Sequence, residues 1–335
     1  MSERAFTLLW LQAGSCGGCT MAALEAEGVG FAALLERFGI RLLWHPSLSE
    51  ESGPEATAIF EAILTGEQHL DALCVEGSIL TGPNGTGRFQ MLAGTGRSMA
   101  WWVRELAVRA RHTLAIGSCA AFGGIPAAGS NPTDATGLHY LDEEAGGLLG
   151  ESWRSPGGLP VINVAGCAPY PGWIVETLAA LALGDLRAED LDMLGRPRFW
   201  AEHLAHHGCG RNEFYEFKAS AVSPSDMGCM MENLGCKATQ APGDCNLRRW
   251  NGDGSCTDAG YACIACTVPG FQDPAGAFQE TPKRAGIPVG LPLDMPKAWF
   301  VALAALSKSA TPDRVRTNAT SDHVVVPPQS RKKTP

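Results

Sequence analysis

The stretch "WLQAGSCGGCTM", Trp10–Met21, decides how the rest of the chain is read. An apolar run, "TLLWLQ" at 7–12, gives way at once to a glycine-rich turn that holds Cys16 and Cys19. A short apolar run followed by a tight turn reads as a buried strand that delivers side chains to the edge of a sheet. Taken alone, the Cys-x-x-Cys pair leaves three readings open: a redox dithiol, half of a zinc site, or half of something larger.

The same pattern recurs downstream. Apolar runs lie at 41–44, 70–77, 113–118 and 160–166, with helical periodicity between them at about 20–37, 54–65, 88–111 and 172–183. Short apolar runs alternating with helices predict an α/β fold with a doubly wound parallel sheet. In such sheets ligands bind beyond the carboxyl ends of the strands. Cys119, in "AIGSCAAFGGI", follows the run at 113–118, and Cys167, in "VAGCAPYPG", follows the run at 160–166. Three strand ends thus bring four thiols, Cys16, Cys19, Cys119 and Cys167, to one rim. Four is the ligand number of a cysteine-held iron–sulfur cluster. The flanking glycines let backbone pack closely around a bulky inorganic group and donate N–H groups to its sulfides. The two extra thiols weigh against a thioredoxin-like dithiol, and a structural zinc site stays open as the alternative. Cys74, inside "LDALCVEG", reads as a buried small hydrophobe.

Composition bounds the classes. The chain has 335 residues, enough for about two domains, with 45% hydrophobic and 18% charged residues. A net charge of -9 weighs against a nucleic-acid partner. No run approaches the ~18 apolar residues of a membrane span, and "MSERAFTLLW" shows no secretory core or twin arginine, so a cytoplasmic protein is expected. In a reducing cytosol, twelve cysteines favour metal or catalytic roles over disulfides.

Seven of those twelve fall between 200 and 270, in a loop-rich stretch that needs metals in place of a large core. One set is "HHGCG" (206–210) with "GCMMENLGC" (228–236), which offers His206, Cys209, Cys229 and Cys236. His206 reads equally as a surface histidine, and His203 and His207 compete with it; spacing favours His206. The other set, "GDCNLRRWNGDGSCTDAGYACIACTVPGF", offers Cys245, Cys256, Cys263 and Cys266, which would also suit a zinc ribbon. The expected divisions are 1–187, 188–285, and a closing 286–335 with one helix near 296–308 and a flexible polar tail. Glu76 ends a strand on the thiol rim; it reads first as a carboxylate capping backbone N–H groups, and second as a group that tunes or moves protons. Trp101 and Trp102, in a helical pattern, read as core or interface.

As a set, "WLQAGSCGGCTM", "VEGSI", "GSCAAFGGI", "GCAPYPG", the His-x-x-Cys at 206–209 and "YACIACTVPGF" closely resemble the small, electron-transferring subunit of NiFe hydrogenases. The resemblance spans nearly the whole chain. It implies a flavodoxin-like first domain and a second domain carrying iron–sulfur clusters. It also implies a linear wire: a proximal 4Fe–4S cluster on Cys16, Cys19, Cys119 and Cys167, a medial cluster on Cys245, Cys263 and Cys266, and a distal 4Fe–4S cluster on His206, Cys209, Cys229 and Cys236. The nickel and iron would sit on a large subunit, the obligate partner in a heterodimer that could itself pair with a second.

Departures from the family pattern point to a branch. Many catalytic members carry Pro where Cys256 stands, leaving a medial 3Fe–4S cluster; a fourth thiol here implies a medial 4Fe–4S cluster. Gly18 and Gly124 occupy the places of two extra cysteines in oxygen-tolerant members, so an ordinary proximal cubane is expected. "GCMMENLGC", "GDCN…WNGDGSC" and the closing segment resemble the regulatory, H2-sensing hydrogenases, which imply signalling to a histidine kinase. A soluble catalytic uptake hydrogenase is the alternative; a complex I-type subunit fits less well, because those typically carry adjacent cysteines at the first site.

Overall fold

In the computed structural model, the apolar run that opens the chain is strand β1, Phe6–Gln12, with residues 7–11 buried. The structure describes residues 4–26, 28, 30–248, 250, 254–273, 280–290, 293 and 296–328. Four more strands lie parallel to β1: β2 (Ile40–Trp44), β3 (Ala72–Glu76), β4 (His112–Ile116) and β5 (Ile162–Val164). Their order is β5-β4-β3-β1-β2. Every residue of β3, β4 and β5 is buried. That explains why these strands read as continuous apolar runs and not as alternation: both faces of a parallel sheet are covered. The order 2-1-3-4-5 is the flavodoxin-like one, with its switch point between β1 and β3. There Gln12 pairs with Glu76, and Glu76 in turn with Ile116, so the carboxyl ends of three strands lie level.

Helices α1 (Gly18–Leu24), α2 (Phe31–Arg37), α3 (Pro54–Thr65), α4 (Met99–Ala107), α5 (Ser118–Phe122), α6 (Pro171–Leu183) and α7 (Arg198–Ala201) accompany the sheet. α3 and α6 start on Pro and stop at left-handed Gly66 and Gly184, the backbone logic of a preset φ at entry and a free one at exit. Two expected helices are shorter than the periodicity implied. The one at 20–37 is two, because Gly28 (φ 85) and Gly30 (φ 84) take a conformation no helix continues. The one at 88–111 starts only at Met99, where Ser98 Oγ caps the Trp101 N–H at 3.2 Å. Upstream, Met91–Leu92 and Arg97–Ser98 pair as a short hairpin around left-handed Gly94 and Gly96. Trp102 is core, 5.7 Å from the Phe60 ring, while Trp101 lies half-buried beside it.

The chain divides into two units: Met1–Ala201 with Cys266–Pro274, and Glu202–Ala265 with Ala275–Pro335. The first therefore runs past 187 and takes back the segment that begins at Cys266. The second is mostly loop. Its helices are α8 (Asn212–Glu216), α9 (Lys297–Ser309) and α10 (Asp313–Ala319). Among the described residues its buried apolar side chains form small clusters: Phe214, Ala219, Val315 and Ala319; Tyr215, Met231 and Phe300; Ala221, Met230 and Leu234. Cys229 and Cys236 pack against them. α10 is a helix that the reading of the sequence did not include: Val315 is fully buried, and the Asn318 side chain holds Val325 and Val326. Residues 329–335 lie outside the described residues. Among the described residues, no helix is long and apolar enough to cross a membrane.

Candidate functional site

The loops beyond β1 and β3 are zipped together by backbone. Gly14 N–H donates to the Ser78 carbonyl (2.8 Å), and Ser78 N–H returns the bond to Gly14 (3.2 Å). A side chain at Gly77 would run into Gly14 at 2.6 Å, so glycine is needed for the approach. This contact sets Cys16 and Cys19 beside Glu76.

Glu76 is fully buried and accepts five hydrogen bonds. Oε1 takes the Ser15 hydroxyl (2.8 Å) and the Cys19 backbone N–H (3.1 Å). Oε2 takes Trp10 Nε1 (3.2 Å), Gln12 Nε2 (3.3 Å) and Thr20 Oγ1 (2.5 Å). Behind it stands His45. Its Nδ1 accepts the Ser47 N–H (3.0 Å), which leaves Nε2 to donate to Thr20 Oγ1 (3.2 Å). The Thr20 hydroxyl, also receiving Gln12 Nε2 at 2.8 Å, is then filled: two bonds accepted and one donated to Glu76. Burial lowers the His45 pKa to about 4, against a smaller opposing pull from Glu76, so the ring is neutral at pH 7.

Ser118 ties the other loops. Its hydroxyl accepts the Gly166 N–H (2.9 Å) and donates to the Cys266 carbonyl, while its backbone N–H donates to the Gly166 carbonyl (2.9 Å). One residue thus fixes the segments that carry Cys119, Cys167 and Cys266. The four rim thiols feel one another. Burial, then Glu76, then Cys119, Cys16 and Cys167 raise the Cys19 pKa well above its usual value. Cys119 is pushed up to about 11, chiefly by burial, although the Ile125 N–H pulls it down; Cys167, Cys16 and Glu76 add to the rise. Cys167 rises with burial and its proximity to Cys16.

Two glycines leave the space these sulfurs use. A Cβ at Gly117 would collide with Cys19 Sγ, and one at Gly124 would sit 2.8 Å from Cys119 Sγ. The thiols resist ionisation only while nothing positive lies among them; iron supplies that charge, and so the donor set fits an iron–sulfur cluster. Cys16 and Cys167 are exposed in the isolated chain; Met21 (67%), five residues after Cys16, and Ile125 (58%), six after Cys119, are exposed as well.

The second unit holds a cavity lined by His206, Cys209, Cys229 and Cys236 together. His206 is buried, with its ring 4.7 Å from that of Tyr215, whereas His203 and His207 are exposed. Arg211, which the motif did not single out, builds one wall. Its guanidinium donates to the carbonyls of Thr257, Asp226 and Gly228 at 2.6–3.1 Å. Its N–H donates to Cys209 Sγ at 3.4 Å. Cys229 and Cys236 receive backbone N–H groups from Met231 and Ala238 in the same way. Burial still pushes Cys229 up to about 12 and raises Cys236, with Lys218 and Arg211 pulling against the rise. Backbone N–H groups aimed at sulfur are what a cluster-bound thiolate uses, so this set fits as well.

The remaining set is divided. Cys245, Cys256 and Cys263 belong to the second unit and Cys266 to the first. Cys263 Sγ accepts the Ala265 N–H (3.4 Å) in a turn made by Ala265 at φ 58. Cys74 is fully buried in β3, its thiol raised by burial, and takes no part in any of these groups. Among the described residues, no three His, Cys, Asp or Glu side chains are arranged to grip a single metal ion.

Sequence reasoning missed Ser118, Thr20, His45 and Arg211. Ser118, next to Cys119, could have been found by asking what holds the loop; Thr20 and His45 are 25 residues apart and meet only in space.

The chain is similar in sequence and fold to known proteins. A profile for the 20 kDa subunit of NADH ubiquinone oxidoreductase matches residues 16–181, and one for the C-terminal part of NiFe/NiFeSe hydrogenase small subunits matches 202–279. The F420 non-reducing hydrogenase II small subunit of Methanosarcina mazei is 32% identical over 322 residues, 90% of this chain and 82% of that protein. The actinobacterial-type NiFe-hydrogenase of Ralstonia eutropha H16 superposes with a TM-score of 0.72 at 27% identity, covering 93% of each chain. The NiFeSe hydrogenase of Desulfovibrio vulgaris Hildenborough does so with a TM-score of 0.71 at 27% identity, over 83% of this chain and 99% of that one.

Proposed function

The chain belongs to the family of NiFe hydrogenase small subunits, and on that premise we propose how it works: it carries electrons over three clusters from a NiFe site on its large-subunit partner. One observation carries this reading: four thiols from three level strand ends gather at one edge of the sheet, in space that glycines keep free. Cys16, Cys19, Cys119 and Cys167 would hold the proximal cluster. His206, Cys209, Cys229 and Cys236 would hold the distal one, and Cys245, Cys256, Cys263 and Cys266 the medial. Such clusters, when bound, supply one-electron redox steps at tuned potentials.

The rest is the work of this chain's own residues. Glu76 fixes the Cys19 backbone and places a carboxylate beside the proximal thiols. Arg211 and Lys218 place positive charge beside the distal ones. A negative group at one end and positive groups at the other favour an electron at the distal end. A neutral imidazole ligand, in place of a thiolate, acts in the same direction. The exposed Cys16 and Cys167, and the exposed apolar Met21 and Ile125 near the other rim cysteines in sequence, suit surface covered by the large subunit.

The finer reading is a cytoplasmic, H2-sensing hydrogenase that reports to a histidine kinase, supported by "GCMMENLGC", "GDCN…WNGDGSC" and the closing segment. An uptake hydrogenase is the second reading. A kinase pull-down with full-length heterodimer, set against a chain ending at Pro328, tests the contact. Removing everything from 311 would not, because it strips Val315 and Ala319 from the core of the second unit.

The deciding experiment is iron, acid-labile sulfide and zinc analysis of the anaerobically purified heterodimer, with EPR of the oxidised sample. About twelve irons on this subunit and no three-iron signal support three cubanes with Cys256 as a ligand. A three-iron signal removes Cys256 from the ligand set. Zinc in place of iron overturns the wire.

A further inference from the structure

The first unit holds a cavity of about 240 Å3 that none of the described cysteines lines. Three segments enclose it: His139 and Tyr140; Arg154 and Pro160, in the loop that leads into β5; and Leu191 and Asp192, in the loop beyond α6. His139 is only 6% exposed. Its Nε2 donates to the Glu151 carbonyl at 2.8 Å, and in that tautomer Nδ1 is an acceptor. Among the described residues no donor reaches Nδ1, and the atom is not sealed from solvent, so it opens on the cavity that the ring lines. Arg154 stands at the exposed rim. It gives one N–H to the Trp153 carbonyl (2.7 Å) and, among the described residues, pairs with no carboxylate.

The other polar groups of the wall are already engaged. Asp192 Oδ1 accepts the Leu194 and Arg196 N–H groups, both at 2.9 Å, and Oδ2 takes Arg196 Nε and Nη2, both at 2.7 Å. Tyr140 donates its hydroxyl to the Met193 carbonyl at 3.1 Å. Burial raises the Tyr140 pKa, Asp192 adds to the rise, and Arg154 and Arg196 oppose it, which sets the Arg154 charge close to that hydroxyl. The cavity therefore offers a ligand two things: a guanidinium without an anion, and an imidazole acceptor without a donor.

We propose that this cavity binds a small monocarboxylate that also carries a hydroxyl group. The carboxylate lies on Arg154, whose planar fork grips such a group with two parallel N–H bonds. The hydroxyl donates to His139 Nδ1. A cavity of about 150 Å3 holds benzene, so this one takes a molecule of about ten non-hydrogen atoms. An ammonium as the donor would bring a second cation beside Arg154. A second carboxylate would find no cation, because Arg196 is bound to Asp192. A plain hydrocarbon would leave both Arg154 and His139 unpaired, and covering unpaired polar groups is costly. The inference goes beyond electron transfer and does not depend on how the clusters are assigned.

The test is titration calorimetry on the anaerobic heterodimer, with lactate as a short probe and 4-hydroxybenzoate as a long one. Propionate and benzoate are the matched acids without the hydroxyl. At least one hydroxy acid is expected to bind, and its matched acid to bind about tenfold more weakly. Arg154→Met should weaken binding about tenfold or more, and Arg154→Lys should recover part of the loss. Arg154 is exposed, so these substitutions leave folding intact. Ala188→Trp, from another exposed position on the wall, should block the cavity. H2 oxidation with methyl viologen, unchanged in all three variants, shows that the heterodimer is intact. Binding by neither hydroxy acid overturns the proposal, as does equal binding to the wild type and Arg154→Met. A matched acid that binds as tightly as its hydroxy acid removes His139 from the site and overturns the ligand class. So does binding of inorganic phosphate with neither acid.

Discussion

The backbone N–H of Cys19 donates to Oε1 of Glu76 at 3.1 Å, so a fully buried carboxylate is bonded to the backbone of a cluster-ligand candidate. Both oxygens of Glu76 face donors only, five in all. The geometry has no tolerance for a donor at that point, and consequences follow for the fold and for the site.

Glu76→Gln keeps the shape but turns an NH2 towards donors, whichever way the amide is oriented. At least two buried donors lose their acceptor, at about 1–3 kcal/mol each. The thermal midpoint of the heterodimer should drop by several degrees. Gln12→Leu, which removes one donor and leaves Glu76 otherwise served, should cost less. Equal losses from the two variants would contradict the account of Glu76 as the hub.

Acid should weaken the protein through His45. Its pKa is lowered from 6.5 to about 4 by burial, so the unfolded chain takes up the proton first. Stability is therefore complete above pH 6.5 and is lost as the pH falls from 6.5 towards 4. The slope is about 1.4 kcal/mol per pH unit for each proton taken up on unfolding. His112, also lowered to about 4 by burial, acts in the same window. Melting profiles across this range should flatten by one proton in His45→Gln. A wild-type profile flat between pH 6.5 and 4.5 would rule the coupling out.

The glycines differ in what they protect. Gly17 (φ 78) faces open space, so Gly17→Ala meets only backbone strain, about 1 kcal/mol. Gly117 (φ 87) carries the same strain, and its Cβ would also collide with Cys19 Sγ. Gly117→Ala should lose about four irons per chain, while Gly17→Ala keeps them. Iron and sulfide analysis of the two proteins settles the comparison; full iron in Gly117→Ala would show that Cys19 is not held where cluster assembly needs it.

The three neighbouring histidines should separate cleanly. His206 is buried in the cavity of Cys209, Cys229 and Cys236, whereas His203 and His207 are exposed. His206→Ala should abolish the distal EPR signal, and His203→Ala and His207→Ala should retain it. His206→Cys, which restores a thiolate, should rebuild a cluster at a more negative potential. Loss of the signal in His207→Ala with retention in His206→Ala would transfer the ligand role.

Much of the first unit was legible in the chain. Strands β1, β2, β3, β4 and β5 lie where apolar runs stood, within a few residues, because strands covered on both faces, as β3, β4 and β5 are, are mostly apolar. The helices were less legible. Periodicity carried across Gly28 and Gly30 and across Gly94 and Gly96, although each of these takes a left-handed turn. α10 escaped notice because its buried residues, Val315, Asn318 and Ala319, are few and mixed in polarity.

By itself, the sequence determined the doubly wound sheet, the placing of the cysteines after its strands, and the family. These depend on local spacing: an apolar run is short enough to be a strand, and the loop after it necessarily emerges at one edge. Only the tertiary structure decided what surrounds the sulfurs. Ser118 meets Gly166 and Cys266 across 48 and 148 residues, His45 reaches Glu76 through Thr20, and Cys266 belongs with the first unit while Cys263 belongs with the second. Such contacts leave no period in the chain, because a hydrogen bond between distant residues depends on where the fold brings their atoms and not on the residues beside them.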